Sequence, residues 1–234
     1  MGLYDRDYAN SNEAYGYSSA SKSEANIISF VKETYKLFAA SMMAGAVGAY
    51  VGVPMAGTIQ AMFIPLIILE IGLLIGLHFV KHKPGINLLV MFGFVFMTGL
   101  MLAPLLARTL GMSGGGAIIG NAFAMTSLIF GAMSFYAIKT TKDFSEYGKP
   151  LMIAVFVIIG FSIVNLFLGS PILAIGISAV VVLLFSILIV YDTQNIIKGA
   201  YETPIDGAIA LYLDFLNIFT ALLQLMGIFG NSDD

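Results

Sequence analysis

The sequence has no cysteine and no tryptophan, and only 11% of its 234 residues are charged. The absence of cysteine excludes disulfides, thiolate metal sites and a cysteine nucleophile. A soluble domain carries about 25% charged residues, so this chain has too few polar groups to cover a soluble surface. The composition therefore excludes an ordinary soluble enzyme and a nucleic-acid-binding protein. It also excludes intrinsic disorder of the whole chain, which needs high charge and low hydrophobicity.

What the chain has in abundance is apolar sequence, with 59% hydrophobic residues and a mean hydropathy of +0.92. A helix that crosses a bilayer needs about 20 mostly apolar residues. Strand-like alternation is not sustained anywhere, so a membrane barrel is disfavoured and helices are expected. Runs of apolar residues between charged, Gly and Pro positions predict seven spans, at 34–53, 59–80, 86–107, 116–138, 151–169, 171–191 and 207–229.

These spans predict an all-α integral membrane protein with one transmembrane domain, over residues 34–230. Residues 1–33 are polar, contain no apolar core of a signal peptide, and are expected to form a disordered cytoplasmic tail. Residues 231–234 form a short C-terminal tail. The N-terminus is predicted to be cytoplasmic and the C-terminus to lie on the opposite side, because basic residues concentrate on one side of the membrane. The basic residues assigned to that side are Arg6, Lys22, Lys32, Lys36, Lys81, Lys83, Lys139, Lys142, Lys149 and Lys198.

Three acidic residues fall within or at the end of predicted spans, where a charge costs about 2.5–3.5 kcal/mol and indicates function by default. Glu70 lies in the middle of the second span, Asp192 at the cytoplasmic end of the sixth, and Asp214 about two turns into the seventh. The alternatives are structural. Asp214 would be a hydrogen-bonded carboxyl that only fixes helix packing, and Asp192 would simply reach the headgroups.

The seventh span carries a polar stripe of Asp214, Asn217 and Gln224, which lie within about 80° of one another on a helix. Such a stripe is expected to face the bundle interior or a water-filled path. A short loop favours Asp192 and Asp214 facing each other, and two carboxylates in a poorly hydrated site cannot both ionise cheaply. We therefore predict that the pair senses pH or holds a cation such as calcium, which prefers oxygen ligands.

Two cationic candidates lie near the same end of the second span. Lys81 is eleven residues after Glu70 and so lies about 16 Å along the axis on the same helix face, and His78 is one turn deeper. Lys81 is a candidate countercharge for the aspartate pair, although snorkelling at the interface explains it equally well. Glycine pairs at helix-packing spacing are interpreted as close helix contacts rather than as a dimer interface, at Gly48 and Gly52, Gly72 and Gly76, and Gly116 and Gly120.

The sequence resembles the transmembrane Bax inhibitor motif family, in its bacterial branch. The resemblance covers the chain from about residue 30 and is densest over residues 191–230. It is carried by Tyr-Asp-Thr-Gln at 191–194, Leu-Tyr-Leu-Asp-Phe-Leu-Asn-Ile-Phe at 211–219, Phe-Gly at 229–230, and Ile-Pro-Leu at 64–66 followed by Leu69-Glu70.

The resemblance implies six helices wrapped around a central C-terminal helix, in a bacterial inner-membrane protein. It implies a pH-sensitive calcium leak channel in which Asp192 and Asp214 form the sensor. In the family an arginine can pair with these aspartates, and Lys81 occupies the matching position here. The implied partners are the lipid bilayer and calcium as the transported ion, with no cofactor and no nucleic acid.

Some bacterial relatives are modulators of a membrane-bound ATP-dependent protease. The resemblance therefore leaves a second hypothesis, an interaction protein whose N-terminal segment engages a membrane protease complex. An enzyme is not expected. Intramembrane aspartyl proteases approach their second aspartate through glycine-rich sequence, whereas Leu-Tyr-Leu at 211–213 precedes Asp214 here.

Overall fold

The computed structural model describes residues 3–230, with side chains from residue 24 to residue 228. All regular structure in this part of the chain is helical, which confirms the predicted all-α class. Short 3₁₀ turns lie at Val53–Met55 and Ser145–Tyr147. The helices are α1 (Leu3–Gly52), α2 (Ala56–Ala61), α3 (Phe63–Val80), α4 (Ile86–Leu110), α5 (Gly115–Lys139), α6 (Gly148–Leu168), α7 (Pro171–Ile197) and α8 (Pro204–Gly230).

Seven helical segments of the described chain are long and apolar enough to cross a membrane, as predicted. The boundaries differ at the first of them, which covers Glu24–Ala61 instead of starting at residue 34. The break before the second span falls at Met62, where the backbone leaves helical geometry with φ −99° and ψ 18°. The second span is accordingly α3, which is shorter than the predicted 59–80.

Turn chemistry explains why α6 ends and α7 begins where they do. Gly169 has φ +60°, a left-handed conformation that favours glycine at a helix C-terminus. The hydroxyl of Ser170 then accepts a hydrogen bond from the backbone N–H of Leu173 at 3.3 Å, and Pro171 occupies the first helical position. The two helices are therefore joined by a tight turn.

The C-terminal span, α8, is the most buried of the seven. In its most apolar stretch 56% of residues are buried, against 6% to 33% in the other spans. It packs against α1, α4, α5 and α7, while α3 packs mainly on α4 and α6 packs mainly on α7. The finer expectation that all six other spans wrap around this helix stays a prediction.

Helices α1 and α4 approach each other very closely. A Cβ atom added at Gly99 would be 2.0 Å from the backbone oxygen of Gly45, and one at Gly48 would be 2.2 Å from that of Phe96. The packing interpretation holds for Gly48 and also for Gly52, where an added Cβ would be 2.6 Å from Ala103 Cβ. These contacts place the two backbones side by side over about two turns.

The same interpretation is wrong for the other two glycine pairs. Among the described residues, no atom lies within 4 Å of a Cβ built on Gly72, Gly76, Gly116 or Gly120. These glycines lie on faces of α3 and α5 that point away from the neighbouring helices. Spacing of four residues is satisfied on every face of a helix, so it does not identify the face that packs.

The described residues include only part of the two predicted tails. Helix α1 begins at Leu3 and runs through the segment 3–33, but the side chains before residue 24 lie outside the described part. The disordered tail over 1–33 and its cytoplasmic location stay predictions. The C-terminal tail, 231–234, lies outside the described residues.

Candidate functional site

The two aspartates of the dense motif region come together in the structure. Asp192 lies near the end of α7, Asp214 lies in the first half of α8, and their carboxyl groups are within hydrogen-bonding contact of each other. Both are buried, with 5% of Asp192 and 3% of Asp214 exposed. The turn over 198–203 makes the two helices antiparallel neighbours, and Gly199 in this turn has φ +63°. The predicted juxtaposition of the pair is therefore present in the geometry.

The two carboxyl groups have unequal surroundings. The phenol of Tyr201 donates a hydrogen bond of 2.6 Å to Oδ1 of Asp192. Burial raises the pKa of Tyr201 well above its ordinary range, so this phenol stays neutral and acts as a donor. Oδ2 of Asp214 is buried and has no hydrogen-bond partner among the described residues. A buried polar atom is normally hydrogen-bonded, so this oxygen is an exception in the structure.

Lys81 lies in a different place from the one predicted for a countercharge of the pair. Its Nζ is 2.5 Å from Oε2 of Glu202 and 3.9 Å from Oδ2 of Asp206. Nε2 of His82 contacts the other Glu202 oxygen at 2.6 Å. We call Lys81, His82 and Glu202 the loop clasp, because they tie the α3–α4 turn to the α7–α8 turn.

The loop clasp forms because the α3–α4 turn and the α7–α8 turn lie at the same end of the bundle. The aspartate pair lies farther along, between α7 and α8. The hydrogen bond from Lys81 lowers the pKa of Glu202, and the same bond raises the pKa of Lys81. Glu202 directly follows Tyr201, the donor to Asp192. One short turn therefore contacts both the clasp and the aspartate pair.

Glu70 lines a cavity of about 460 Å³ between α3, α4 and α8. The other polar residues in its wall are Gln60, Thr98, Thr220 and Gln224. The predicted site residues Glu70 and Gln224 are thus brought to one cavity. Because α8 turns by about 100° per residue, this wall of α8 is rotated by about 80° to 160° from Asp214.

Two further cavities lie along α8, one toward each end of the helix. His78 and Asp206 line one of about 350 Å³ near the loop clasp. Arg108 and Gln224 line one of about 530 Å³ toward the other end of the bundle. Gln224 belongs to both the middle and the far cavity, and its Oε1 accepts a 3.1 Å hydrogen bond from Ser178. All three cavities are lined by α8, the first two together with α3 and the third together with α4, α6 and α7.

Asn217 does not join this set in the same way. Its side-chain amide donates to the backbone oxygen of Leu213 at 2.7 Å, one turn earlier in its own helix. The polar stripe predicted on α8 is therefore divided between Asp214 at the pair, Asn217 on its own backbone, and Gln224 at the cavities. The described residues contain no group of three or more His, Cys, Asp or Glu side chains that could hold a metal ion, and calcium at the two-carboxylate site of Asp192 and Asp214 stays a prediction.

Sequence reasoning missed the role of Gln194 in the Tyr-Asp-Thr-Gln motif. Its Oε1 accepts from the backbone N–H of Phe144 at 2.8 Å, and its Nε2 donates to the backbone oxygen of Lys142 at 2.9 Å. Lys198 adds a 2.6 Å ion pair to Asp143. The end of α7 thereby holds the α5–α6 loop in place beside the pair. Only the position of Gln194, two residues after Asp192, could have suggested this.

Replacing Lys198 by glutamine should raise the pKa of Asp143, which Lys198 now lowers to about 2, toward the ordinary value of about 3.9. Because the native pKa is depressed, the ion pair contributes stability at neutral pH and loses it as pH falls through about 2. Titration of the Asp143 carboxyl by NMR measures the shift. Lys149→Gln is the matched control and should leave the titration unchanged. An unchanged pKa in Lys198→Gln would show that the pair does not form.

Comparison with known proteins gives a consistent picture. A family model described as inhibitor of apoptosis-promoting Bax1 matches residues 28–231. A protein of Campylobacter jejuni is 48% identical over 235 residues, 99% of this chain and 100% of its own length. A Helicobacter pylori protein is 46% identical over 233 residues, the full length of both chains. The modulator of FtsH protease YccA of Escherichia coli is 32% identical over 200 residues, 84% of this chain and 89% of its own.

Proposed function

The chain belongs to the Bax1 inhibitor family of membrane proteins, and on that premise we propose that it is a pH-sensitive calcium leak channel. The observation that carries the proposal is the contact between the buried carboxyls of Asp192 and Asp214. No Lys, Arg or His among the described residues lies within ion-pair distance of either one. A contact between two buried carboxyl groups responds to pH, because only protons or other cations can neutralise its negative charge.

In the proposed mechanism the pair shares one proton in the closed state. The shared proton gives a charge-assisted hydrogen bond between α7 and α8, roughly twice as strong as a neutral one. When pH falls and both carboxyls are protonated, the bond becomes neutral and the two helices separate more easily. Tyr201 favours the closed state by holding Asp192 in place. The leak is therefore expected to increase as pH falls.

The proposed conduit is the row of three cavities along α8. Calcium takes oxygen ligands, and the middle cavity offers the carboxylate of Glu70 with the side-chain oxygens of Thr220 and Gln224. The pair formed by Asp192 of α7 and Asp214 of α8 lies on a different side of α8 from this cavity. We propose that the pair is the gate, with transient calcium binding at Oδ2 of Asp214. In this proposal calcium is the transported ion, in a bacterial inner membrane with the N-terminus in the cytoplasm.

Vesicles loaded with a calcium indicator test the proposal. Wild-type protein should let calcium enter the vesicles, and the flux should increase as the pH is lowered. Glu70→Gln should reduce the flux by roughly tenfold, which is equivalent to about 1.4 kcal/mol of lost cation stabilisation. The pH dependence of the remaining flux should be unchanged, because Glu70 lies outside the aspartate pair. Glu33→Gln removes an exposed carboxylate of α1 and is the control. Flux no greater than in protein-free vesicles would contradict the proposal.

A second function is proposed because YccA of Escherichia coli, a related chain, is named a modulator of FtsH protease. In this alternative the protein acts through contact with a membrane protease, and ion flux is incidental. Co-reconstitution with such a protease separates the two. If Glu70→Gln lowers the flux as expected but leaves proteolysis of a membrane substrate modulated to the same extent, the protease role does not depend on the leak.

A further inference from the structure

A second kind of cavity, almost wholly apolar, lies between α1, α4, α5 and α8. It has a volume of about 330 Å³, within the size range of small-molecule sites. Its walls include Ala46 and Ala49 of α1, Ile119 of α5, and Phe215 and Phe219 of α8. We call this space the lateral cleft. It is separate from the three cavities that line the proposed conduit, although Leu102 and Leu216 border both systems.

The lateral cleft opens sideways, toward the surroundings of the bundle. Three of its lining residues are exposed at the surface, with exposed fractions of 83% for Tyr50, 49% for Leu110 and 49% for Phe123. All three lie within segments long and apolar enough to cross the membrane. The mouth therefore faces the bilayer that surrounds these segments.

Inside the cleft, Tyr212 provides the only polar side chain of the lining that is not exposed at the mouth. Its hydroxyl is already used, since it hydrogen-bonds Thr98 and donates to the backbone oxygen of Val95 at 3.1 Å. A buried water needs two to four polar partners, so water is not stable there. A polar ligand would likewise find no free group to bind.

The inner end of the cleft is closed by aromatic rings. Phe215 contacts Phe38, Phe123 and Phe130 with ring centroids 6.4, 5.6 and 5.9 Å away. Phe38 and Phe130 stack on each other at 5.0 Å and connect α1 to α5 below the cleft. The cleft is therefore an apolar slot that aromatic rings border around Phe215 and that is exposed at Tyr50 and Leu110.

We propose that the lateral cleft binds one acyl chain of a bilayer phospholipid. The walls of the cleft offer dispersion contacts to an apolar ligand, and acyl chains are the apolar groups that a bilayer presents to its mouth. Tyr50 is two residues from the end of α1, at the level where tyrosine favours the headgroup interface. The bound lipid accordingly belongs to the leaflet at the end of the bundle away from the loop clasp.

The absence of tryptophan gives a direct test, because an introduced tryptophan is the only one in the protein. Phe219→Trp places it in the cleft wall, where the native ring is 8% exposed. In vesicles of phospholipid with brominated acyl chains, this tryptophan should lose most of its fluorescence relative to unbrominated vesicles. Phe94→Trp, at a position 2% exposed and outside the cleft, should be quenched far less.

Filling the slot provides the second arm of the test. Ala46→Phe or Ile119→Phe, each added to Phe219→Trp, should restore the fluorescence, whereas Val47→Phe on the lipid-facing side of α1 should not. Two filling variants from opposite walls are used so that one misfolded variant does not decide the outcome. Unquenched Phe219→Trp, or quenching that persists in both folded filling variants, would overturn the proposal. Quenching by brominated free fatty acid alone would overturn the assignment to phospholipid.

Discussion

Vesicles containing Asp214→Asn should leak calcium at alkaline pH as fast as wild-type vesicles leak at acidic pH. Asparagine cannot carry the charge of the shared-proton state, so the substitution imitates the fully protonated pair. A hydrogen bond to a charged group contributes about 1.5–3 kcal/mol, which corresponds to a shift of about 10- to 150-fold in the ratio of closed to open protein. The change is measured as calcium flux against pH.

The same experiment has internal controls. Asp192→Asn should give the same loss of pH dependence, and the double variant should add little, because two residues of one contact are not additive. Glu33→Gln is the control. It removes an exposed carboxylate of α1 that lies outside both the pair and the row of cavities. If Asp214→Asn folds and keeps the wild-type pH profile, the aspartate pair is not the gate.

The architecture follows from features that act within single segments. Apolar length predicts the seven spans, and charge scarcity singles out Asp192 and Asp214, which the short turn over 198–203 then brings together. These inferences need no knowledge of how distant helices rotate. Each depends on hydrophobic burial or on the energetic cost of a charge in lipid, and both can be read from the sequence.

The partners of Lys81 could not be predicted in this way. The sequence predicts that Lys81 lies at the end of the second span, but its partner depends on which carboxylates the α7–α8 turn presents to α3. Glu202 and Asp206 lie there, and they pair with Lys81 in place of the aspartates. Tyr201 and Gln194 were missed for the same reason, since each contacts a group brought near only by tertiary packing.

The spacing of glycines does not identify where helices contact each other, for a related reason. A very close contact joins Gly45 to Gly99, neither of which belongs to the three pairs that the spacing selected. A glycine matters where two helix backbones meet, and that point is set by the crossing of α1 and α4. The sequence of one helix contains no information on where the other crosses it.

Substitution of Gly99 by alanine should therefore be among the most damaging single changes in the protein. The new Cβ would lie 2.0 Å from the backbone oxygen of Gly45 and 2.9 Å from its Cα, so α1 and α4 would have to move apart. Overpacking typically costs about 1–3 kcal/mol, and we expect the upper end because backbone cannot change rotamer. A lower thermal unfolding temperature in detergent, with less folded protein recovered, is the measurement.

Gly93→Ala is the matched control on the same helix. No described atom lies within 4 Å of a Cβ at Gly93, and alanine is favoured over glycine inside a helix by roughly 0.5–1 kcal/mol. This variant should be as stable as the wild type or more stable. Opposite outcomes at two glycines of one helix would separate the helix crossing from helix propensity. Equal outcomes would mean that α1 and α4 do not cross at Gly45 and Gly99. Because both glycines line the lateral cleft, that result would also contradict the shape of the cleft described above.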